Sequence, residues 1–180
     1  MYQHILLAVA LQRWERYSPH ALAAREAAVA LAKGSGARLS VLSVYSYDYE
    51  MPAEVSLPPE DLGRYRDSHM RQIDMQMETK MREFLSGLAA MDIAITPVLK
   101  EGDPRQVIIT TAEALGVDLL VIGAHSKRSF LDVLLGGTAA AVSRRAPCAL
   151  VMVQLGEQPP ILQTSDVGEA LQSLGQAQPA

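Results

Sequence analysis

Short apolar runs alternate along the chain with longer stretches in which apolar residues recur every three or four positions. His4-Ile-Leu-Leu-Ala-Val-Ala10 is almost uninterrupted in its apolar character and predicts a strand buried on both faces. Ser18-Pro19 is an N-cap and N1 pair, and the alanine-rich stretch to Lys33 has strong helix propensity. Gly34 fits the position that ends that helix. Arg38 to Tyr45 predicts a second strand. Residues 47–61 carry Tyr, Pro, Glu and Asp without periodicity and predict a loop crossing the sheet edge.

From Leu62 to Leu88 the apolar residues Met70, Ile73, Met77, Met81, Phe84, Leu85 and Leu88 define an amphipathic helix. Ile93 to Leu99 predicts a third strand, and Pro97 within it argues for an edge position. Gly102-Asp103-Pro104 reads as turn, N-cap and N1 of a helix over residues 104–115 that Gly116 ends. Asp118 to Gly123 predicts a fourth strand, Gly137 to Arg145 a fourth helix and Pro147 to Val153 a fifth strand. Residues 156–180 form a polar, Pro/Gln-rich tail after a domain spanning 1–155, with a short helix expected around Asp166 to Leu174. No internal repeat is visible.

Strands alternating with helices predict a parallel sheet covered by helices on both faces. Ligands of such sheets bind beyond the strand C-terminal ends, where strand order reverses. The loops after the first and fourth strands are therefore the candidate site.

Composition narrows the function classes. With 180 residues, 49% hydrophobic and 20% charged, the chain suits one globular domain. No apolar run approaches the roughly 20 residues of a membrane helix, and the N-terminus lacks a secretory pattern. The single cysteine, Cys148, excludes an internal disulfide and fits a reducing cytoplasm. A net charge of −4 argues against general nucleic-acid binding. There is no Cys/His cluster of metal spacing, no dinucleotide fingerprint, no P-loop and no assignable catalytic constellation, so the expectation is a protein that is not an enzyme and holds no metal.

The stretch GAHSKRSFLDVLLGGTAAAVSRR, residues 123–145, carries the remaining signal. One glycine leads out of an apolar strand, and two more open a small-residue helix. Glycines placed in this way let a backbone approach a phosphate, and a helix N-terminus supplies N–H groups. Together with Ile5-Leu-Leu-Ala-Val9, Gly102-Asp103-Pro104, Gly116 to Gly123 and Ala146-Pro-Cys-Ala-Leu-Val-Met-Val153, this pattern resembles the universal stress protein (UspA-like) family over roughly residues 3–154. The resemblance implies a Rossmann-like open five-stranded sheet of order 3-2-1-4-5. It also implies a homodimer paired through the last strand, Ala149 to Val153.

Nucleotide-binding members of that family carry glycine, two residues, glycine, nine residues, then glycine followed by serine or threonine. Gly123 matches the first position, and Ser126 stands at the second. Gly136 matches the third, and Gly137 replaces the hydroxyl residue, with Thr138 one place later. Such members usually end the first strand with an aspartate; this chain has Ala10. The implied nucleotide site comprises Ala8, Val9, Ala10, Val44, Ile122, Gly123, His125, Ser126, Gly136, Gly137 and Thr138, with Val44 against the base. ATP or AMP is the implied ligand, weakly held. The alternative is an interaction protein acting through its dimer surface and tail, with no nucleotide; a slow ATPase is a third reading.

Several residues admit a functional and a plain reading. His125 is either a phosphate contact or an exposed loop residue. Lys127 and Arg128 could steer an anion, and Arg144 and Arg145 suit a helix C-terminus; both pairs also read as solvated surface. Met70, Met75, Met77 and Met81 suggest an adaptable surface, but the helical spacing of three of them favours core packing. Cys148 lies in an apolar run and reads as inert. Trp14 could stack on a base or pack beneath its own loop.

Overall fold

The computed structural model describes residues 1–12, 17–47, 58–88, 90–124, 126–129, 132–135 and 137–155. Five parallel strands form one sheet: β1 (His4–Val9), β2 (Arg38–Tyr45), β3 (Ile95–Glu101), β4 (Leu119–Gly123) and, last in the chain, β7 (Ala149–Val153). Their order is β3-β2-β1-β4-β7, which is 3-2-1-4-5 when only these five are counted. A separate antiparallel hairpin pairs β5 (Ser126–Ser129) with β6 (Asp132–Leu135). The helices are α1 (Pro19–Ser35), α2 (Pro59–Leu85), α3 (Pro104–Leu115) and α4 (Gly137–Arg145).

β1 is central and buried throughout, as its apolar run requires. Alternate strand residues feed two cores. Ile5, Leu7, Leu39, Val41, Leu119 and Val121 face α1 and α2, where Ala24, Ala28, Met77, Met81 and Phe84 are buried. Leu6, Ala8, Leu42, Leu120 and Ile122 face α3 and α4, against Ile108, Ile109, Ala139 and Val142. Met75 points out of this packing, 69% exposed. β3 and β7 are the edge strands. Pro97 sits in β3, which needs its N–H groups on one side only.

Several boundaries differ from expectation. Helix α1 runs through Gly34 to Ser35, and Gly36, at φ 71°, provides the left-handed cap. Only a residue tolerant of positive φ ends the helix, and Gly34 needs no such conformation. Helix α2 starts at Pro59 and closes in a 3₁₀ turn, Ser86–Leu88, rather than running as one helix from Leu62 to Leu88. β3 lies two residues later than Ile93 to Leu99, because Leu39 N donates to Ala94 O before the ladder begins. β1 ends at Val9, β4 begins at Leu119 and β7 at Ala149. Asp118 instead accepts hydrogen bonds from Gln3 N (2.8 Å) and His4 N (3.2 Å), which closes the lower end of β1 against β4. The spacer after Gly123 contains the β5–β6 hairpin, which apolar periodicity had not indicated. Trp14, most of the 47–61 loop and the helix expected at Asp166 to Leu174 lie outside the described residues.

Below the sheet's centre, His4 is buried with both ring nitrogens partnered. Its Nδ1 lies 3.2 Å from Leu115 O and its Nε2 2.8 Å from Ser40 Oγ. A carbonyl can only accept, so Nδ1 carries the proton and Nε2 accepts from Ser40. Burial, with the charge of Arg38 acting in the same direction, holds the His4 pKa below its ordinary value.

Candidate functional site

A cleft of about 570 Å³ opens at the C-terminal ends of the strands, where β1 passes to β2 on one side and β4 on the other. Its apolar wall is Ala8, Leu42, Val44, Ile108 and Ile122, the upper layer of the core shared with α3 and α4. Val9 and Ala10 border it at the end of β1. Gly123 borders it at the end of β4, and Gly137, Thr138 and Ala139 form the first turn of α4.

The expected residues Ala8, Val9, Ala10, Val44, Ile122, Gly123, Gly137 and Thr138 thus converge on one cleft. Ser126 opens β5. His125 and Gly136 lie outside the described residues.

Gly102, Asp103, Pro104 and Arg105 also line the cleft, although the sequence marked Gly102-Asp103-Pro104 as a helix start and a piece of the family pattern and none of the four as a site residue. Gly102, at φ 136°, donates its N–H to Tyr45 O (3.0 Å), which draws the chain from the edge strand inward across the sheet top. Asp103 caps α3 by accepting from Arg105 N (3.0 Å) and also takes Arg105 Nε (3.1 Å). Those two bonds hold the Asp103 carboxyl below its usual pKa. The first turns of α3 and α4 therefore both meet the cleft, which brings two sets of main-chain N–H groups and one guanidinium to its rim.

Gly123 has a different reason for being glycine than the one inferred from sequence. A Cβ on it would stand 2.8 Å from His20 O and 3.1 Å from His20 C. It faces α1, the opposite side of the sheet from the apolar wall. Close helix packing requires this glycine before any ligand does. A Cβ at Gly137 would meet nothing within 4 Å.

The remaining edge of the cleft is a clasp between the loops that follow β1 and β2. The Gln12 side chain donates from Nε2 to Ser46 O (2.6 Å) and accepts at Oε1 from Ser46 N (2.9 Å). Leu11 N reaches Ser43 Oγ at 3.4 Å. Lys80 Nζ, from α2, donates to Leu11 O (3.1 Å) and Gln12 O (3.4 Å). Helix α2 is itself tied down by Tyr45 and Tyr47, whose hydroxyls donate to Asp74 Oδ1 at 2.8 and 2.6 Å. Burial first, and those hydroxyl contacts second, push the Tyr45 pKa upward, so it stays a donor. Among the described residues, no group of three or more His, Cys, Asp or Glu could hold a metal ion. Cys148 is half-buried and its pKa is raised by burial, which disfavours a reactive thiolate.

An open parallel sheet wound in both directions, with an apolar cleft at its switch point and helix N-termini on the rim, defines a Rossmann-like α/β domain. Residues 1–154 match the model of the universal stress protein family, and the chain belongs to that family. A universal stress protein of Methanothermobacter thermautotrophicus is 28% identical over 120 residues, which cover 66% of this chain and 79% of the relative. The structure of universal stress protein UspA from Lactobacillus plantarum superposes with a TM-score of 0.56 at 25% identity, covering 84% of this chain and 97% of that one. A universal stress protein family protein from Arabidopsis thaliana, solved with AMP bound, shares the fold with a TM-score of 0.57 at 20% identity over 88% of this chain and 97% of its own. No described helix is long and apolar enough to cross a membrane.

Proposed function

We propose that this chain is an adenine-nucleotide-binding universal stress protein that works by binding rather than catalysis, as a cytoplasmic homodimer. The observation that carries the reading is the cleft itself: apolar on the side of Val44 and Ile122, with the first turns of α3 and α4 at its rim. Its volume falls within the range of roughly 300–1,000 Å³ typical of small-ligand pockets. The apolar wall suits a base, and main-chain N–H groups at Gly137 and Thr138, helped by the Thr138 hydroxyl and Arg105, suit a phosphate. The same fold in the Arabidopsis relative is known with AMP bound, which supports AMP as the first ligand to try.

The residues present make the site a weak one. Ala10 puts no carboxylate at the end of β1 to take ribose hydroxyls. A neutral hydrogen bond of that kind contributes about 1 kcal/mol, close to tenfold in affinity. Calorimetric titration of the full chain with AMP and with ATP tests the proposal. Binding of either, weakened when Thr138→Val or Arg105→Ala is introduced, is the expected result. No heat with either nucleotide at millimolar concentration refutes it.

Ala10 is also what favours a second reading, an interaction protein that binds no nucleotide. β7 is an edge strand with Met152 37% exposed, and it suits pairing with a second copy. A dimer with no nucleotide binding is the outcome that selects this reading.

A further inference from the structure

The two edges of the sheet are built differently. β3 carries Pro97, Lys100 and Glu101, which blunt strand pairing. β7 is apolar at all five positions, none of them fully buried, and Leu155 just beyond it is 41% exposed.

The charges at the two ends of β7 are opposite in sign. Before its start, α4 closes on Arg144 and Arg145, both exposed and without a hydrogen-bond or ion-pair partner among the described residues. Beyond its end, residues 156–180 carry Glu157, Asp166 and Glu169 and no Lys or Arg. That stretch lies past residue 154, where the family match ends. Within one protomer the five residues of β7, about 16 Å of strand, separate the arginines from the start of the acidic stretch.

A second copy removes that separation. A two-fold axis normal to the sheet presents the same edge from both copies and pairs the two β7 strands antiparallel. Val153 of one copy then lies towards Ala149 of the other, and the chain leaving β7 emerges on the side of the second copy's Arg144 and Arg145. Arg145 precedes Ala149 by four residues and Glu157 follows Val153 by four, so the two fall level in a seam centred on Val151.

We infer that the acidic segment 156–169 of each protomer docks on Arg144 and Arg145 of the other, fastening both ends of a dimer seam centred on β7. This rests on the dimer reading above and adds a contact made by residues outside the family match. Two-fold symmetry makes each contact twice, which lets exposed ion pairs, each worth little alone, count together.

The test is the dimer dissociation constant of the full chain, measured by sedimentation at about 20 mM and about 500 mM salt. Three variants are compared with the parent: Arg144→Gln with Arg145→Gln; Arg144→Glu with Arg145→Glu; and Glu157→Lys with Asp166→Lys and Glu169→Lys. The Arg-to-Glu pair is also combined with the three lysines, which restores opposite charges in exchanged positions. The expected result is a parent dimer that weakens with salt, as screening requires. Each single set should dissociate about tenfold more readily at low salt, and the exchanged combination should return to within about threefold of the parent. A dimer unchanged by the single sets overturns the inference and leaves the arginines to the α4 dipole. A dimer tightened by the tail lysines overturns it too, since the tail would then be covering its own β7 edge. Failure of the exchanged combination to recover, with its melting curve intact, has the same force. A parent that is monomeric at tens of micromolar overturns it together with the dimer reading.

Discussion

Replacing Gly123 with alanine separates packing from ligand binding at the glycine the family pattern emphasises. The new Cβ would stand 2.8 Å from His20 O, 3.1 Å from His20 C and 3.3 Å from His20 Cβ. The obstacle is backbone in the first turn of α1, which cannot retreat freely. That turn is fixed by Ser18, whose Oγ accepts from Ala21 N and whose carbonyl accepts from Leu22 N, each at 3.1 Å. Below it, Ala21, Ala24 and Ala28 seat the helix on the sheet with no loose side chain to absorb a shift. Forcing extra atoms into such a contact costs about 1–3 kcal/mol. For a domain of this size each kcal/mol lowers Tm by about 2–4 °C, so Gly123→Ala should melt roughly 2–12 °C below the parent with no nucleotide present. Gly137→Ala is the matched control. Its Cβ enters open space at the start of α4, where helix propensity favours alanine by up to about 1 kcal/mol. Thermal melts and urea titrations of the three proteins without ligand decide the matter. Equal stability of parent and Gly123→Ala, or a loss confined to Gly137→Ala, would refute the packing argument.

Further outcomes follow from other parts of the fold. Because His4 has a folded pKa held below 6.5, its contribution to stability is complete above that value and is lost as pH falls through the folded pKa. Melting temperatures taken from pH 8 to pH 5 should drop on the acid side, and the drop should be smaller in His4→Gln; identical acid profiles would rule His4 out as its source. Ala10→Asp places a carboxylate at the end of β1, where charge-assisted bonds to ribose hydroxyls are worth about 1.5–3 kcal/mol. Calorimetry should show AMP or ATP binding about ten- to hundredfold tighter, with little change in stability without ligand because position 10 is exposed. Light scattering at tens of micromolar should report a dimer that Met152→Arg weakens, since β7 is an edge strand; a monomeric parent would remove that expectation.

The elements legible in the sequence are those whose local chemistry and tertiary setting agree. β1 and β4 read as buried strands because both of their faces are covered. Helix α3 was bounded at both ends by residues with a mechanical role, Asp103 as cap and Gly116 at φ 59°. Gly34 misled because two glycines lie two residues apart near the end of α1, and only the three-dimensional register decides which takes the left-handed conformation. The β5–β6 hairpin was hidden because Ser126–Ser129 and Asp132–Leu135 lack the alternation of a half-buried strand. The site divides in the same way. Glycines and strand ends were visible as patterns, whereas Gly102 to Arg105 join the cleft through a main-chain bond to Tyr45 that no side chain announces.

The departures of this chain from the nucleotide-binding pattern fall in two places: Ala10 at the end of β1, and Ser126 and Gly137 in the stretch after β4. Ala10 and Gly137 bear on different parts of a ligand. Position 10 lies at the end of the central strand, where a sugar hydroxyl would be held, and Gly137 opens α4, where a phosphate would be. Their effects on affinity should therefore add, as expected for independent contacts. Ala10→Asp combined with Gly137→Ser should bind AMP about as much more tightly than the parent as the product of the single gains. A double variant no tighter than Ala10→Asp alone would mean that the main chain of α4 already serves the phosphate and that the absent hydroxyl costs nothing. The low affinity would then belong to Ala10 alone.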